Sequence, residues 1–253
     1  MIQFVFMLTH HDRTIDNPLA TYAELRGSGL RYVGFKDIGV PVGQLREVCA
    51  AAHADGLEVM LEVVSTTLEE ELRSAAAAAE IGVDWLLGGT HPQDVLAVLS
   101  GSTARYCPFP GTVLGHPSVL HGEVAEIAES ARAITALPGV HGLDLLAYRH
   151  PTADVAALTR AVVTAASGPV IAAGSVASVA QIRALDEAGA WGFTIGGAIF
   201  EGRLPGGPSV AGQVREVLLA AAGSGSGHDG SGPGHDGSGD DGRSGAASDA
   251  AGG

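Results

Sequence analysis

Eight short β-rich runs, beginning near Ile2, Leu30, Leu57, Val83, Ala104, Val140, Pro169 and Ala190, alternate with longer helical stretches as far as about Ala222. This alternation is the strongest constraint on the fold. Strands joined through helices lie parallel, and each pair needs a full crossover. Helical patterns at 42–54, 67–80, 123–136, 155–166 and 178–188 supply the crossovers, and glycines at 56, 82, 139 and 189 precede the next strand. A glycine just past a helix end tolerates the positive φ that stops it. Eight βα units in about 220 residues predict an α/β chain with one (β/α)8 TIM barrel over residues 1–222, a doubly wound sheet being the alternative.

In a barrel, chemistry collects at the C-terminal strand ends, and each strand alternates between the helix layer and the interior. In the second strand Val33 and Phe35 suit the helix layer, so Tyr32, Gly34 and Lys36 point inward, with Lys36 last. Lys36 is also the single lysine among 14 basic residues, the other 13 being arginine. An amine can lose its proton or form an imine, which a guanidinium cannot. In the third strand Leu57, Val59, Leu61 and Val63 form the outward set. Glu58, Met60, Glu62 and Val64 then point inward, and Glu62 neighbours Lys36. A buried ion pair seldom stabilises relative to apolar packing, so one at the rim points to function. In the sixth strand Leu143, Leu145 and Ala147 are assigned outward, and Asp144, Leu146 and Tyr148 inward, Tyr148 at the rim and Asp144 a layer lower.

The rim is also rich in histidine: His10 and His11 end the first strand, His91 the fourth, and the long fifth loop carries His116 and His121. His10, His91 and His116 are candidates for a divalent metal, but no HxH or HExxH spacing supports one. They are read with His11 as polar substrate contacts, with no metal and no cofactor. The two cysteines, Cys49 and Cys107, make no disulfide framework or metal cage, which predicts a cytoplasmic protein. The apolar opening, residues 1–8, lacks a basic flank and reads as a strand rather than a signal peptide; no apolar run reaches membrane-spanning length. A net charge of −14 without a basic cluster argues against a nucleic-acid partner. Association into a homo-oligomer is left open. Residues 223–253 contain no large apolar side chain and repeat GHDGSG at 227–232 and 234–239, which predicts a disordered low-complexity tail.

The last two units carry the most specific pattern. Strand seven, PVIAAGSVAS, closes on Gly174 and Ser175; strand eight, in AWGFTIGGAIFEG, closes on Gly196 and Gly197 just before Ala198-Ile199-Phe200. Small residues admit an anion close to the backbone, and N–H groups at a helix start can hold a phosphate without net positive charge. Residues 169–202 resemble the matching end of the phosphoribosyl isomerases of histidine and tryptophan synthesis. GAWGFTIGGAIF is similar to the corresponding segment of N-acylmannosamine-6-phosphate 2-epimerases. The resemblance implies a ribulose-phosphate-binding barrel with substrate phosphate at Gly174–Ser175 and Gly196–Gly197. GFKD at Lys36 is similar to the furan-phosphate synthase of methanofuran biosynthesis, in which the lysine forms an imine. The chain departs from the isomerases in showing His10 and His11 where they carry a first-strand aspartate, and from the epimerases in the strand that bears the lysine.

Together these features predict an enzyme of a small phosphorylated carbonyl compound. One chemistry is isomerisation or epimerisation, with Lys36 as an ammonium and a carboxylate moving the proton. The other is an aldolase-type lyase or synthase in which Lys36 forms a Schiff base. Glu62 beside Lys36 favours the first. A phosphometabolite-binding barrel without turnover is the non-enzymatic alternative.

Overall fold

The computed structural model describes residues 1–65 and 67–223, so the predicted tail lies, from residue 224 onward, outside the described residues. Gly223 itself closes the last helix rather than opening the tail. The barrel strands are β1 (Gln3–Met7), β2 (Tyr32–Lys36), β3 (Glu58–Val63), β4 (Trp85–Gly88), β5 (Arg105–Cys107), β6 (Leu143–Leu145), β7 (Val170–Ala172) and β8 (Gly192–Ile195). They form one parallel eight-stranded sheet in the spatial order β6-β7-β8-β1-β2-β3-β4-β5. The ring closes between β5 and β6 through a bridge from Tyr106 to Val140 and the bonds His141 N–H to Tyr106 O (2.8 Å) and Asp144 N–H to Pro108 O (3.0 Å). This is a (β/α)8 barrel.

Its helices are α1 (Pro18–Ala23), α2 (Val42–Ala54), α3 (Leu68–Ile81), α4 (Pro92–Val98), α5 (Val124–Thr135), α6 (Val155–Ala165), α7 (Val179–Glu187), a short α8 (Gly197–Phe200) and α9 (Val210–Gly223). Their ends follow from local chemistry. Side chains of Thr67, Asp154 and Ser178 accept first-turn N–H groups of α3, α6 and α7, and Gly82 ends α3 at φ 83°.

The two faces of each strand pack differently. Val33, Phe35, Val59, Leu61 and Val63 join the core between barrel and helices, whereas Val5, Met7, Tyr32, Met60, Trp85, Leu87, Cys107 and Ile171 fill the interior. The base of the interior is aromatic: Trp191 lies 5.5 Å from the Tyr32 ring and 5.4 Å from the Trp85 ring. The next interior positions along β2, β3 and β6 hold Lys36, Glu62 and Asp144, all buried. The apolar base and charged upper layer place any chemistry at the C-terminal mouth.

The ends of β1, β5 and β6 depart from simple strand alternation. Strand β6 stops at Leu145, and a 3-10 turn over Ala147–Arg149 follows, so Leu146 packs with Leu143, Leu145 and Ala147 in the outer core rather than pointing inward. The residues after β1 fold back as an antiparallel hairpin, Thr9–His10 with Arg13–Thr14, and the fifth loop contains another, Thr112–Leu114 with Val119–His121. Among the described residues no helix is long and apolar enough to cross a membrane.

Candidate active site

The barrel mouth opens into a cavity of about 520 Å3 whose lining includes Lys36, Glu62, Asp12 and Arg149 as well as Gly174–Ser175 and Gly196–Gly197. Register sets the centre: Lys36 on β2 lies directly opposite Glu62 on β3. Lys36 Nζ is 3.4 Å from Glu62 Oε1, and both side chains are about 5% exposed or less. The Thr14 hydroxyl accepts from Lys36 N–H and donates to Lys36 C=O, each at 2.9 Å, fixing the backbone that carries the amine.

Asp12 and Arg149 complete this centre, and neither is evident from strand alternation. His11 and Asp12 are the central residues of the hairpin turn, at φ 50° and 60°. A two-residue hairpin whose central residues both have positive φ is the turn type matched to strand twist; histidine and aspartate tolerate that region better than most residues. The turn carries the Asp12 carboxylate back over β2, where Lys36 Nζ donates to Oδ1. Arg149, at the end of the 3-10 turn after β6, grips the same carboxylate with both arms: Nη2 to Oδ1 at 2.8 Å and Nη1 to Oδ2 at 3.2 Å. Gly39, at φ 120°, lets the hairpin sit close, because a Cβ there would lie 2.3 Å from Thr14 O. An aspartate from the first βα connection therefore does reach the site, from the turn beyond His10 and His11.

Burial alone would raise the Asp12 carboxyl, but the Arg149 bonds and the Lys36 and Arg149 charges outweigh it and hold the group well below the usual carboxylate range. Asp144 goes the other way. It is fully buried, neither carboxyl oxygen has a hydrogen-bond partner, and burial with the nearby Glu62 charge pushes it well above its ordinary value. Burial and ion pairing thus shift the Asp144 and Asp12 carboxyl groups in opposite directions.

The remaining predicted residues are placed as follows. Tyr148 lines the cavity wall with its hydroxyl 3.5 Å from Gln181 O, and burial raises its pKa. The turn after β6 carries Arg149, rather than Tyr148, onto Asp12. His10 and His11 line the cavity with rings 3.7 Å apart, and His10 Nε2 lies 3.5 Å from Glu201 Oε1. His116 Nδ1 approaches Asp12 Oδ2 at 3.7 Å from the second hairpin. His91 is corrected: it does not line the cavity. Its Nδ1 and N–H bond instead to the buried Glu71 of α3, at 2.9 and 3.0 Å, and Gly89 leaves room for that carboxylate. No group of three or more His, Cys, Asp and Glu side chains poised for a metal occurs among the described residues.

Elsewhere in the lining Gly174 and Ser175 have φ 73° and 62°, and the N–H groups of Gly174, Ser175, Gly197 and Ala198 donate no hydrogen bond among the described residues. The glycines serve different ends. A Cβ at Gly174 would lie 2.3 Å from Arg149 Nε, and one at Gly196 would lie 2.4 Å from Thr9 Oγ1. A Cβ at Gly197 would meet nothing nearer than His10 at 3.8 Å. Three basic side chains (Lys36, Arg149, Arg203) and three acidic ones (Asp12, Glu62, Glu201) line the cavity, so its formal charge balances.

No protein-family model matches the chain, and no curated protein matches its sequence. Solved structures do match its shape. The structure described as native KDPGal has TM-score 0.61 and 18% identity, covering 87% of this chain and 95% of its own. The tryptophan synthase alpha chain from Legionella pneumophila subsp. pneumophila has TM-score 0.60 and 14% identity, covering 89% and 93%. Orotidine 5'-phosphate decarboxylase from Pyrococcus horikoshii OT3 has TM-score 0.58 and 11% identity, covering 86% and 99%. At such identities the likeness shows the fold alone: this chain is similar to (β/α)8 barrels over nearly its whole described length.

Proposed function

We propose that this chain is an enzyme that moves a proton on a small phosphorylated carbonyl compound, as an isomerase or epimerase. The observation that carries the reading is Lys36 ion-paired to both Asp12 and Glu62 in a cavity that it shares with backbone amides that are unpaired among the described residues. The amides of Gly174, Ser175, Gly197 and Ala198 would hold the phosphate, suited to a cavity with no spare cation. The carbonyl oxygen would then meet Lys36, whose ammonium stabilises the negative charge that develops there. Glu62 takes the proton from the adjacent carbon, because Asp12 is bound to two cations while Glu62 makes one contact, to Lys36. Among barrels of this shape, orotidine 5'-phosphate decarboxylase acts by its name on a phosphate ester, which supports the reading by analogy of fold. A location in the cytoplasm, and freedom from cofactors, belong to the same proposal.

Lys36 also fits the Schiff-base lyase, and one set of experiments separates the two. Lys36→Arg keeps the charge and removes the compact amine; Lys36→Met removes the charge at similar volume. Either change is expected to cost on the order of 10²–10⁴ in turnover, against little loss for Arg if Lys36 only fills space. Screening phosphorylated aldoses, ketoses and keto acids in deuterated water should show exchange at the carbon beside the carbonyl. Borohydride added with substrate should leave the mass of the Lys36 peptide unchanged. A trapped adduct there would assign the lyase chemistry, and the absence of exchange with any bound ligand would assign a binding protein.

A further inference from the structure

The contacts around Asp12 describe a ligand as well as a residue. A planar carboxylate lies in the fork of Arg149 and under the amine of Lys36, with His116 on its other oxygen. A guanidinium with both arms on two oxygens of one group is the geometry by which proteins recognise carboxylates. The two cations are built in rigidly. Lys36 is clamped at both backbone groups by Thr14, and Arg149 packs so closely on Gly174 that no Cβ fits there. The anion differs, since Asp12 sits at the tip of a two-residue turn outside the barrel strands. Both cations line the cavity, so a ligand entering it reaches them.

We infer that Arg149 is the specificity-determining residue for a carboxylate on the substrate, and that Asp12 occupies this carboxylate's place until substrate arrives. The substrate class becomes a short phosphorylated hydroxy or keto acid, with its phosphate on the amide wall and its carboxylate on Arg149. This rests on the phosphate reading above. Exchange of one carboxylate for another leaves the two cations paired throughout.

Calorimetric titration of the full chain tests this with three probes of one carbon skeleton: 3-phosphoglycerate, glycerol 3-phosphate and glycerate. The carboxylate-bearing phosphate is expected to bind at least about tenfold tighter than glycerol 3-phosphate, as one bidentate charged contact commonly provides. Arg149→Gln should erase that ratio by weakening 3-phosphoglycerate far more than glycerol 3-phosphate. Asp12→Asn, which removes the competing carboxylate, should widen the ratio, and it decides the matter if Arg149→Gln does not fold. Equal affinities in the wild-type chain, or equal weakening of both phosphate ligands by Arg149→Gln, would overturn the carboxylate role while the phosphate reading stands. If glycerate binds and glycerol 3-phosphate does not, the phosphate wall is wrong and the carboxylate role survives. If none of the three binds, both fall.

Discussion

At the scale of single residues, two carboxyl groups near the barrel mouth are shifted in opposite directions by their surroundings. Two cations on Asp12 hold its pKa down, whereas burial and the nearby Glu62 charge push that of Asp144 up. The Asp144 state has a measurable consequence. Its folded pKa lies above the unfolded value near 3.8, so the folded chain binds this proton more tightly than the unfolded one. The stability this proton contributes is therefore complete below about pH 3.8 and lost as pH rises through the folded value. Asp144→Asn removes the titration. The variant should gain stability relative to wild type between pH 4 and pH 7, by about 1.4 kcal/mol for each pKa unit crossed in that interval. Urea denaturation at both pH values checks this, and a difference that does not vary with pH would mean Asp144 is charged in the fold. The inward placement of Lys36, Glu62 and Asp144 was legible from alternation along β2, β3 and β6, since period two holds wherever a strand is regular. Leu146 was misassigned, and Arg149 missed, because β6 leaves the strand at Leu145 and a 3-10 turn does not keep that period.

At the scale of elements, the loops after β1, β7 and β8 divide the work. The turn after β1 brings Asp12 to Lys36, while the β7 and β8 ends present amides. Gly197 is the position at which charge can be tested without crowding, because the nearest atoms to an added Cβ are 3.8 and 3.9 Å away and its φ is not positive. Gly197→Asp should fold normally and raise KM for a phosphorylated substrate on the order of ten- to a hundredfold, through like-charge repulsion at the anion site. Unaltered KM would remove phosphate from this wall. Gly174 is a poorer probe, since any side chain there collides with Arg149 and would disturb both ends of the cavity. The amide-lined end was visible as a run of small residues. Asp12 was not, because a His-Asp turn lacks the glycine or asparagine that usually marks a tight hairpin.

For the whole molecule, the barrel is least tied together between β5 and β6, where one bridge and two backbone bonds complete the ring. Gly142 sits beside this seam, and a Cβ there would lie 2.3 Å from Pro169 O and 3.2 Å from Cys107 Sγ. Gly142→Ala should lower stability by about 1–3 kcal/mol, as overpacking against backbone does, read from the urea midpoint. An unchanged midpoint would show that β6 and β7 can part there without cost. The sequence alone determined the eight-unit barrel, its apolar faces and the inward column of Lys36 and Glu62. Those features depend on periodicity, glycine stops and strand order, all local along the chain. Tertiary structure alone decided that Asp12 and Arg149, 137 positions apart, share one ion-pair cluster with Lys36, and that His91 serves Glu71 instead. Such pairings follow from how irregular loops fold over a closed ring. No period in the sequence encodes that, because the contacts form between segments that become neighbours only when the barrel closes.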